Sequence, residues 1–251
     1  MNSVTAIIDA RTPQKAIETL QMYAEVFLFR SQDITYETIS CHPDIFLFQG
    51  SECLIIAPNT PPDCLSFISS RNIPFVFGTS IIGKELTNST YYNCIETEKH
   101  FFHKQGFTDN IILKSISEPF IALPQAYTRC SMIAISESAF ITSDRGIEKV
   151  LLLHGFDVLY INPSVITLPP YKNGFIGGCM GLWNNTLFVI GSLQTIENTE
   201  EVKDFILQRN VGIVELYDGP LFDGGGIFFC AKILDRFPFP NHKKDNQSQE
   251  N

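Results

Sequence analysis

The hydrophobic positions of this chain fall into short runs separated by turn residues, and the order of the runs repeats. From Asp44, the segments DIFLFQ and ECLIIA flank Gly50-Ser51 and predict a β-hairpin with a two-residue turn. Pro61 to Arg71 follows, with Pro at its start and apolar Cys64, Leu65, Phe67 and Ile68 at helical spacing. Ile73 to Gly78 is extended again. The same order of strand, strand, helix, strand returns from Ser131 to Ile161. There SMIAIS and AFITS flank Glu137-Ser138, Ser143-Asp144 caps a helix through His154 that stops at Gly155, and FDVLYI closes the unit. A further copy runs from Phe175 to Leu216, with Asn184-Asn185 in the hairpin turn, a helix over Glu200 to Arg209, and GIVEL at its end. A weaker one spans Tyr92 to Leu123, where NCIET and KHFFH form the hairpin, Asp109 to Ile116 is helical, and PFIAL is the last strand.

The two ends supply the remaining pieces. Gly226 to Leu234 reads as a strand with nothing to pair with after it, while Thr5 to Arg30 reads as strand, helix, strand. Together they complete a fifth unit. Repeats of about 40 residues build solenoids or propellers, and a last unit completed by the first residues closes a ring. The expected fold is therefore an α/β propeller of five pseudo-symmetric ββαβ units, closed by pairing of the N- and C-terminal strands over residues 1–240. An open Rossmann-like sheet fits less well, because hairpins precede the helices here. The polar tail 241–251 has no apolar residue to bury and is expected to be disordered.

Charge and composition narrow the partners. The formal net charge is -9 and the basic residues are scattered, so no stripe exists to neutralise nucleic-acid phosphates or an anionic membrane surface. Met1 to Arg11 lacks the pattern of a signal peptide, and no apolar run reaches the roughly 20 residues of a membrane span. A cytoplasmic location is the expectation. The 7 cysteines form no C-x-x-C pair and are expected to be reduced, small buried hydrophobes rather than bridges or zinc ligands. His100 and His103 point to opposite faces of one strand, which opposes shared metal ligation. His154 sits at a helix C-terminus, where an imidazole caps. No nucleotide, flavin, pyridoxal or metal motif is present, so any chemistry is expected to need no cofactor and no metal.

Several local strings resemble the penteins, also called the guanidino-group-modifying-enzyme fold, and most of all an uncharacterised bacterial branch of that superfamily. They are Tyr127-Thr128-Arg129-Cys130-Ser131, the stretch Tyr171 to Gly181 (YKNGFIGGCMG), and Leu216 to Ile227 (LYDGPLFDGGGI). The resemblance implies the five-unit ring and a chemistry in which a Cys attacks a guanidinium carbon, a His moves the proton, and carboxylates hold the cation. Gly224 to Cys230 resembles the Gly-rich string that ends in the nucleophile of agmatine-deiminase-like enzymes, which makes Cys230 the candidate nucleophile. Asp44 resembles their acidic substrate-binding position. The string Gly-His-x-Asp of those enzymes corresponds to Gly178-Cys179-Met180-Gly181, so both its His and its Asp are missing. Phe229 stands where they carry a His beside the nucleophile.

His42, just before Pro43-Asp44, is the candidate replacement base. Asp44, Asn93, Cys130, Gly178, Cys179 and Asp223 are the candidate substrate contacts, since the repeat places most of them at similar points near the axis. Trp183 is expected to pack against the neighbouring unit. Two function classes remain open: a divergent Cys-dependent hydrolase or transferase acting on a small guanidino- or amide-bearing metabolite, and a non-catalytic binding or scaffold protein. The ribosome anti-association initiation factor uses the pentein ring in the second way.

Overall fold

The structure is a computed structural model that describes residues 4–231. The first unit met along the chain holds β1 (Val4–Asp9), α1 (Gln14–Leu20) and β2 (Glu25–Phe29). The next holds β3 (Leu47–Gln49), β4 (Leu54–Ile56), α2 (Pro62–Ser70) and β5 (Phe75–Phe77). Then come β6 (Ile95–Glu96), β7 (Phe101–His103), α3 (Asn110–Ser115) and β8 (Phe120–Ala122). A short helical turn α4 (Thr128–Ser131) leads into β9 (Met132–Ser136), β10 (Ala139–Thr142), α5 (Arg145–Leu153) and β11 (Asp157–Tyr160). After β12 (Ile166–Thr167) follow β13 (Met180–Trp183), β14 (Thr186–Val189), α6 (Thr199–Leu207) and β15 (Gly212–Glu215). The described chain ends with β16 (Leu221–Phe222), paired to β12, and β17 (Phe228–Ala231).

Five sheets of three strands share one topology. In each, an inner strand (β3, β6, β9, β13, β17) pairs antiparallel with a middle strand (β4, β7, β10, β14, β1). That middle strand pairs parallel with an outer one after a helical crossover. The fifth sheet is assembled from both ends, with Val4 opposite Ala231 and Ile7 opposite Phe228. This is the pairing the repeat predicts. The inner strand β13 lies against both β9 and β17, and β3 lies against β6. Residues from every inner segment, among them Gln49, Ile95, Ile133, Gly181 and Ile227, line one axial cavity of about 450 Å³.

Local chemistry explains the elements. Asp109 and Asp144 accept hydrogen bonds from the backbone N–H of Ile111 (2.7 Å) and Ile147 (2.9 Å), capping α3 and α5. Gly155, at φ +81°, ends the α5 segment in the left-handed region. Asn184 and Asn185, at φ 48° and 55°, make the tight turn between β13 and β14. Ile147 and Leu151, one turn apart on α5, are buried beside Phe140 and Phe156. The rings of Phe102 on β7 and Phe140 on β10 meet edge-on at 5.1 Å, which joins two adjacent units and contributes about 1 kcal/mol beyond burial. Trp183 stacks on Phe229 of the neighbouring sheet at 6.1 Å, as expected.

Three local expectations are corrected. The Gly50-Ser51 turn is a four-residue connection, closed by Gly50 N–H donating to the Cys53 carbonyl at 3.1 Å. Pro43-Asp44-Ile45 is a 3-10 turn rather than the start of a strand, because Pro43 fixes φ and removes the donor a ladder needs. Asn93, Cys130 and Cys179 likewise sit in the turns that precede β6, β9 and β13, not in the strands. The expected extension of β17 to Leu234 and the disordered tail lie outside the described residues. Among those described, no helix is long and apolar enough to cross a membrane.

His103 shows how the core treats an imidazole. It is fully buried, with Nε2–H donating to the Ala126 carbonyl (2.9 Å) and Nδ1 accepting from the Thr108 hydroxyl (2.6 Å). Burial lowers its pKa to about 4, against the backbone carbonyls of Ala126 and Thr90, which favour the charged form. The unfolded chain therefore takes up a proton near the ordinary value of about 6.5 while the folded chain resists until about 4. Stability from this group is complete above pH 6.5 and is lost as the pH falls through that window. Urea unfolding at pH 4.5 and 7.5 is expected to show a loss on acidification that is smaller by about 2–3 kcal/mol in His103→Gln than in the unmodified chain. Parallel pH profiles for the two proteins would refute it.

Candidate functional site

The turns before the inner strands converge at one end of the axis and carry a buried polar cluster. Asp44 is fully buried, and its Oδ2 accepts from the Cys130 thiol at 2.7 Å. Asn93 holds both: its Nδ2 donates to the Asp44 carbonyl and to Cys130 Sγ, each at 3.4 Å, while Cys130 N–H donates to its Oδ1 at 3.2 Å. The Asn93 carbonyl also accepts from Thr128 N–H (3.1 Å) and Arg129 N–H (3.3 Å), which fixes the start of α4. Each of these side chains is thus positioned by a different unit of the ring.

Asp223 enters from the loop after β16. Its Oδ2 accepts from Phe175 N–H (2.8 Å) and its Oδ1 from Gly225 N–H (3.2 Å). Gly178 lies flat against this carboxylate, since a Cβ there would stand 1.8 Å from Oδ1. Its carbonyl accepts from Gly224 N–H (3.0 Å) and Gly226 N–H (2.7 Å). Gly225, at φ +68°, leaves room for His42 and Asp44, whose atoms would lie 2.6 and 2.7 Å from an added Cβ. His42 is 1% exposed. Its Nε2 faces Asp9 Oδ2 at 3.7 Å, and the backbone of Asp223 approaches the ring without reaching hydrogen-bond geometry.

Burial governs the protonation states. It raises Asp44 to about 6, opposed by the Arg129 charge and the bonds from Cys130 and Asn93. It raises Asp223 to about 6 as well, opposed chiefly by His42. The same desolvation lowers His42, against the pull of Asp223 and Asp9, and drives the Cys130 and Cys179 thiols well above the ordinary range. At neutral pH the imidazole is uncharged and both thiols keep their protons.

Two cations complete the cluster, and neither stood out in the sequence. Arg11 Nε donates to Asp9 Oδ1 (3.0 Å) and its Nη2 to Oδ2 (2.7 Å), a bidentate pair. Arg129 donates to the carbonyls of Gly225 and Ile227, both at 3.1 Å, and its guanidinium sits 4.1 Å from the centre of the Phe228 ring. The charges of Asp44 and Asp223 favour its charged form against burial. It lines one end of the axial cavity.

The structure brings together His42, Asp44, Asn93, Cys130, Gly178 and Asp223, and sets two other candidates apart. Cys179 turns its thiol to the Phe175 carbonyl (3.4 Å) and packs among Ile176, Met180 and Leu221. Cys230 lies within β17 opposite Thr5 of β1, whereas His42 faces Asp9 at the other end of that strand. Four residues of extended chain separate those ends, roughly 13 Å. For an active enzyme the sequence sets His42, or the backbone amides of Gly224 to Gly226, beside Cys230; the register keeps His42 away from it, and the thiol near His42 is Cys130. Cys230 instead shares an apolar cluster with Ile7, Phe228 and Cys64. The physical reason is register, since the position equivalent to Asn93 and Cys130 on the fifth unit is Gly226, just before the strand, and Cys230 is inside it.

A family described as "Family of unknown function (DUF6873)" matches residues 7–228. The chain belongs to that family. No curated protein matches it. Among solved structures it is similar to a dimethylarginine dimethylaminohydrolase in an adduct with S-methyl-L-thiocitrulline. Identity is 11% and the TM-score 0.50, over 84% of this chain and 91% of that one. It is also similar to SxtG, an amidinotransferase from Microseira wollei in the saxitoxin biosynthetic pathway. Identity there is 8% and the TM-score 0.50, over 84% of this chain and 87% of that one. Both are pentein-fold proteins, and at this level of identity the likeness shows the fold.

Proposed function

We propose that this member of the family is a pentein-fold binding protein, with the axial cavity as its ligand site, rather than a guanidine hydrolase acting through Cys230. The observation that carries this reading is Arg129. The chain's own guanidinium is held at the axis by two carbonyls, the Phe228 ring and the fields of Asp44 and Asp223, an environment suited to a guanidino substrate. The two similar structures bear names of enzymes that act on amidino or methylarginine groups. In this chain a resident guanidinium lies in the field of the carboxylates instead.

The thiols support the same reading. Nucleophilic catalysis needs a thiolate with a base in reach. The Cys130 thiol keeps its proton and donates to Asp44, and Cys230 is 2% exposed within an apolar cluster. Above the cluster the cavity is lined by Arg129 at one end and by Glu96, Glu98, Glu118 and Glu137 around it, a polar surround for a small metabolite bearing both charges.

The test combines turnover with binding. The purified chain is incubated with arginine, agmatine and dimethylarginine while ureido product and ammonia are measured, and thermal shifts are recorded with the same compounds and with amino acids. Shifts in Tm without product are expected, together with alkylation of Cys130 and Cys230 by iodoacetamide no faster than global unfolding. Product formation that disappears in Cys230→Ala or Cys130→Ala would overturn the reading in favour of the hydrolase.

A further inference from the structure

We propose that His42, Asp44 and Cys130 form a binding site for a divalent transition-metal ion of the zinc type. The three offer one nitrogen, one oxygen and one sulfur ligand, all within 4.8 Å of one another and all buried. Ligand atoms around tetrahedral zinc are roughly 3.5 Å apart, so the wider separations close by about 1 Å while the 2.7 Å contact of Cys130 Sγ with Asp44 Oδ2 opens as its proton leaves, a side-chain adjustment. That mixed donor set suits zinc or cobalt better than the oxygen-loving magnesium or calcium.

Unpartnered atoms point the same way. Among the described residues, neither ring nitrogen of His42 nor Asp44 Oδ1 has a hydrogen-bond partner, although His42 is 1% and Asp44 0% exposed. Buried polar atoms are nearly always satisfied, and three orphans on two adjacent ligand residues mark a place where something else is bound. With Nε2 turned to Asp9, Nδ1 of His42 is free for the ion. Asp9 Oδ2, 3.7 Å away, is then the carboxylate that orients a metal-bound imidazole, and Asn93 does the same for Cys130 Sγ at 3.4 Å.

Charge counting agrees. Among the described residues, the buried carboxylates Asp9, Asp44 and Asp223 face the guanidinium groups of Arg11 and Arg129, three negative charges against two positive ones. When the ion binds, Cys130 releases its thiol proton to solvent as the metal–sulfur bond forms. Three carboxylates and one thiolate then balance two guanidinium groups and one dication. His42 remains neutral and lends a lone pair. Three protein ligands leave a fourth tetrahedral position open.

The inference deepens the binding reading and rests on it only in treating the cluster as closed rather than as a turnover site. Because the ligands are buried, the full chain is refolded from urea with Co²⁺ or Zn²⁺ present, and bound metal is measured after gel filtration. About one ion per chain is expected, with a thiolate-to-cobalt charge-transfer band in the near ultraviolet and release of one proton on binding. Cys130→Ser is expected to abolish the band, and Asp9→Asn to weaken binding roughly 10- to 100-fold, with circular dichroism reporting that each variant is folded. A folded unmodified chain that emerges metal-free and without the band overturns the site, as does a band that survives in folded Cys130→Ser. A metal-free chain that also turns over no guanidine leaves the binding reading standing, so the two proposals fail separately.

Discussion

Arg129→Ala is expected to lower the free energy of unfolding by about 2–4 kcal/mol, through two lost hydrogen bonds and the lost field on the buried carboxylates. The variant removes the guanidinium whose charge opposes the desolvation of Asp44, and takes a counter-charge from Asp223. It also leaves the Gly225 and Ile227 carbonyls without their 3.1 Å donors and uncovers the Phe228 ring. Much of the loss comes from carboxylates left buried and uncompensated, so a second change that neutralises one of them should restore part of it. In urea titrations, Asp44→Asn with Arg129→Ala is expected to lose less than the sum of the single variants. Arg129→Lys keeps the charge but cannot reach two carbonyls with one planar fork, and should fall between. A loss below about 1 kcal/mol for Arg129→Ala would mean that the cluster does not depend on this cation.

Gly178→Ala is expected to cost about 3 kcal/mol or to prevent folding. The added methyl would stand 1.8 Å from Asp223 Oδ1 and 2.6 Å from its Cγ. Neither partner can yield cheaply. Asp223 is pinned by Phe175 and Gly225 N–H, and the Gly178 carbonyl is held by Gly224 and Gly226 N–H. Gly106→Ala is the control: its φ is +83° but nothing lies within 4 Å of the new Cβ, so only backbone strain of about 1 kcal/mol is expected. Adding Asp223→Ala to Gly178→Ala removes the colliding carboxylate and should recover stability. Equal urea midpoints for the Gly178 and Gly106 variants would contradict the close approach.

The ring was legible because its signal is periodic. Hairpin turns such as Asn184-Asn185, helix caps such as Asp144 and short apolar runs recur in the same order, and one orphan strand at each end leaves a single way to pair them. The same repeat puts Asp44, Asn93, Cys130 or Ser131, Cys179 and Cys230 at similar points near the axis; the structure groups Asp44, Asn93 and Cys130 and turns Cys179 and Cys230 away. Register was not legible at that precision. A Cys two residues into a strand and one two residues before a strand look alike in a Gly-rich string, so Cys230 drew attention that the geometry gives to Cys130. Arg129 lay inside a quoted string and Asp9 at the end of an apolar strand, but a charged residue in sequence reads as solvent-facing until its counter-charges are located. The turn at Pro43-Asp44-Ile45 followed the same logic: Pro before a carboxylate should have outweighed the apolar residues after it.

The sheet that joins β1 to β17 sets a timetable for the nascent chain. Every other inner strand meets its partner within a few residues, whereas Val4 waits for Ala231. At ribosomal rates of about 5–20 residues per second, the wait is on the order of 10–40 s. Throughout it β1, buried along its whole length in the finished ring, presents one edge with its hydrogen-bonding groups unmatched. The entropic cost of closing so long a loop grows only logarithmically, so the delay burdens the rate of folding far more than the final stability. The ring's most exposed moment is therefore during synthesis, and a neighbouring ribosome carrying the same chain supplies the competing β17.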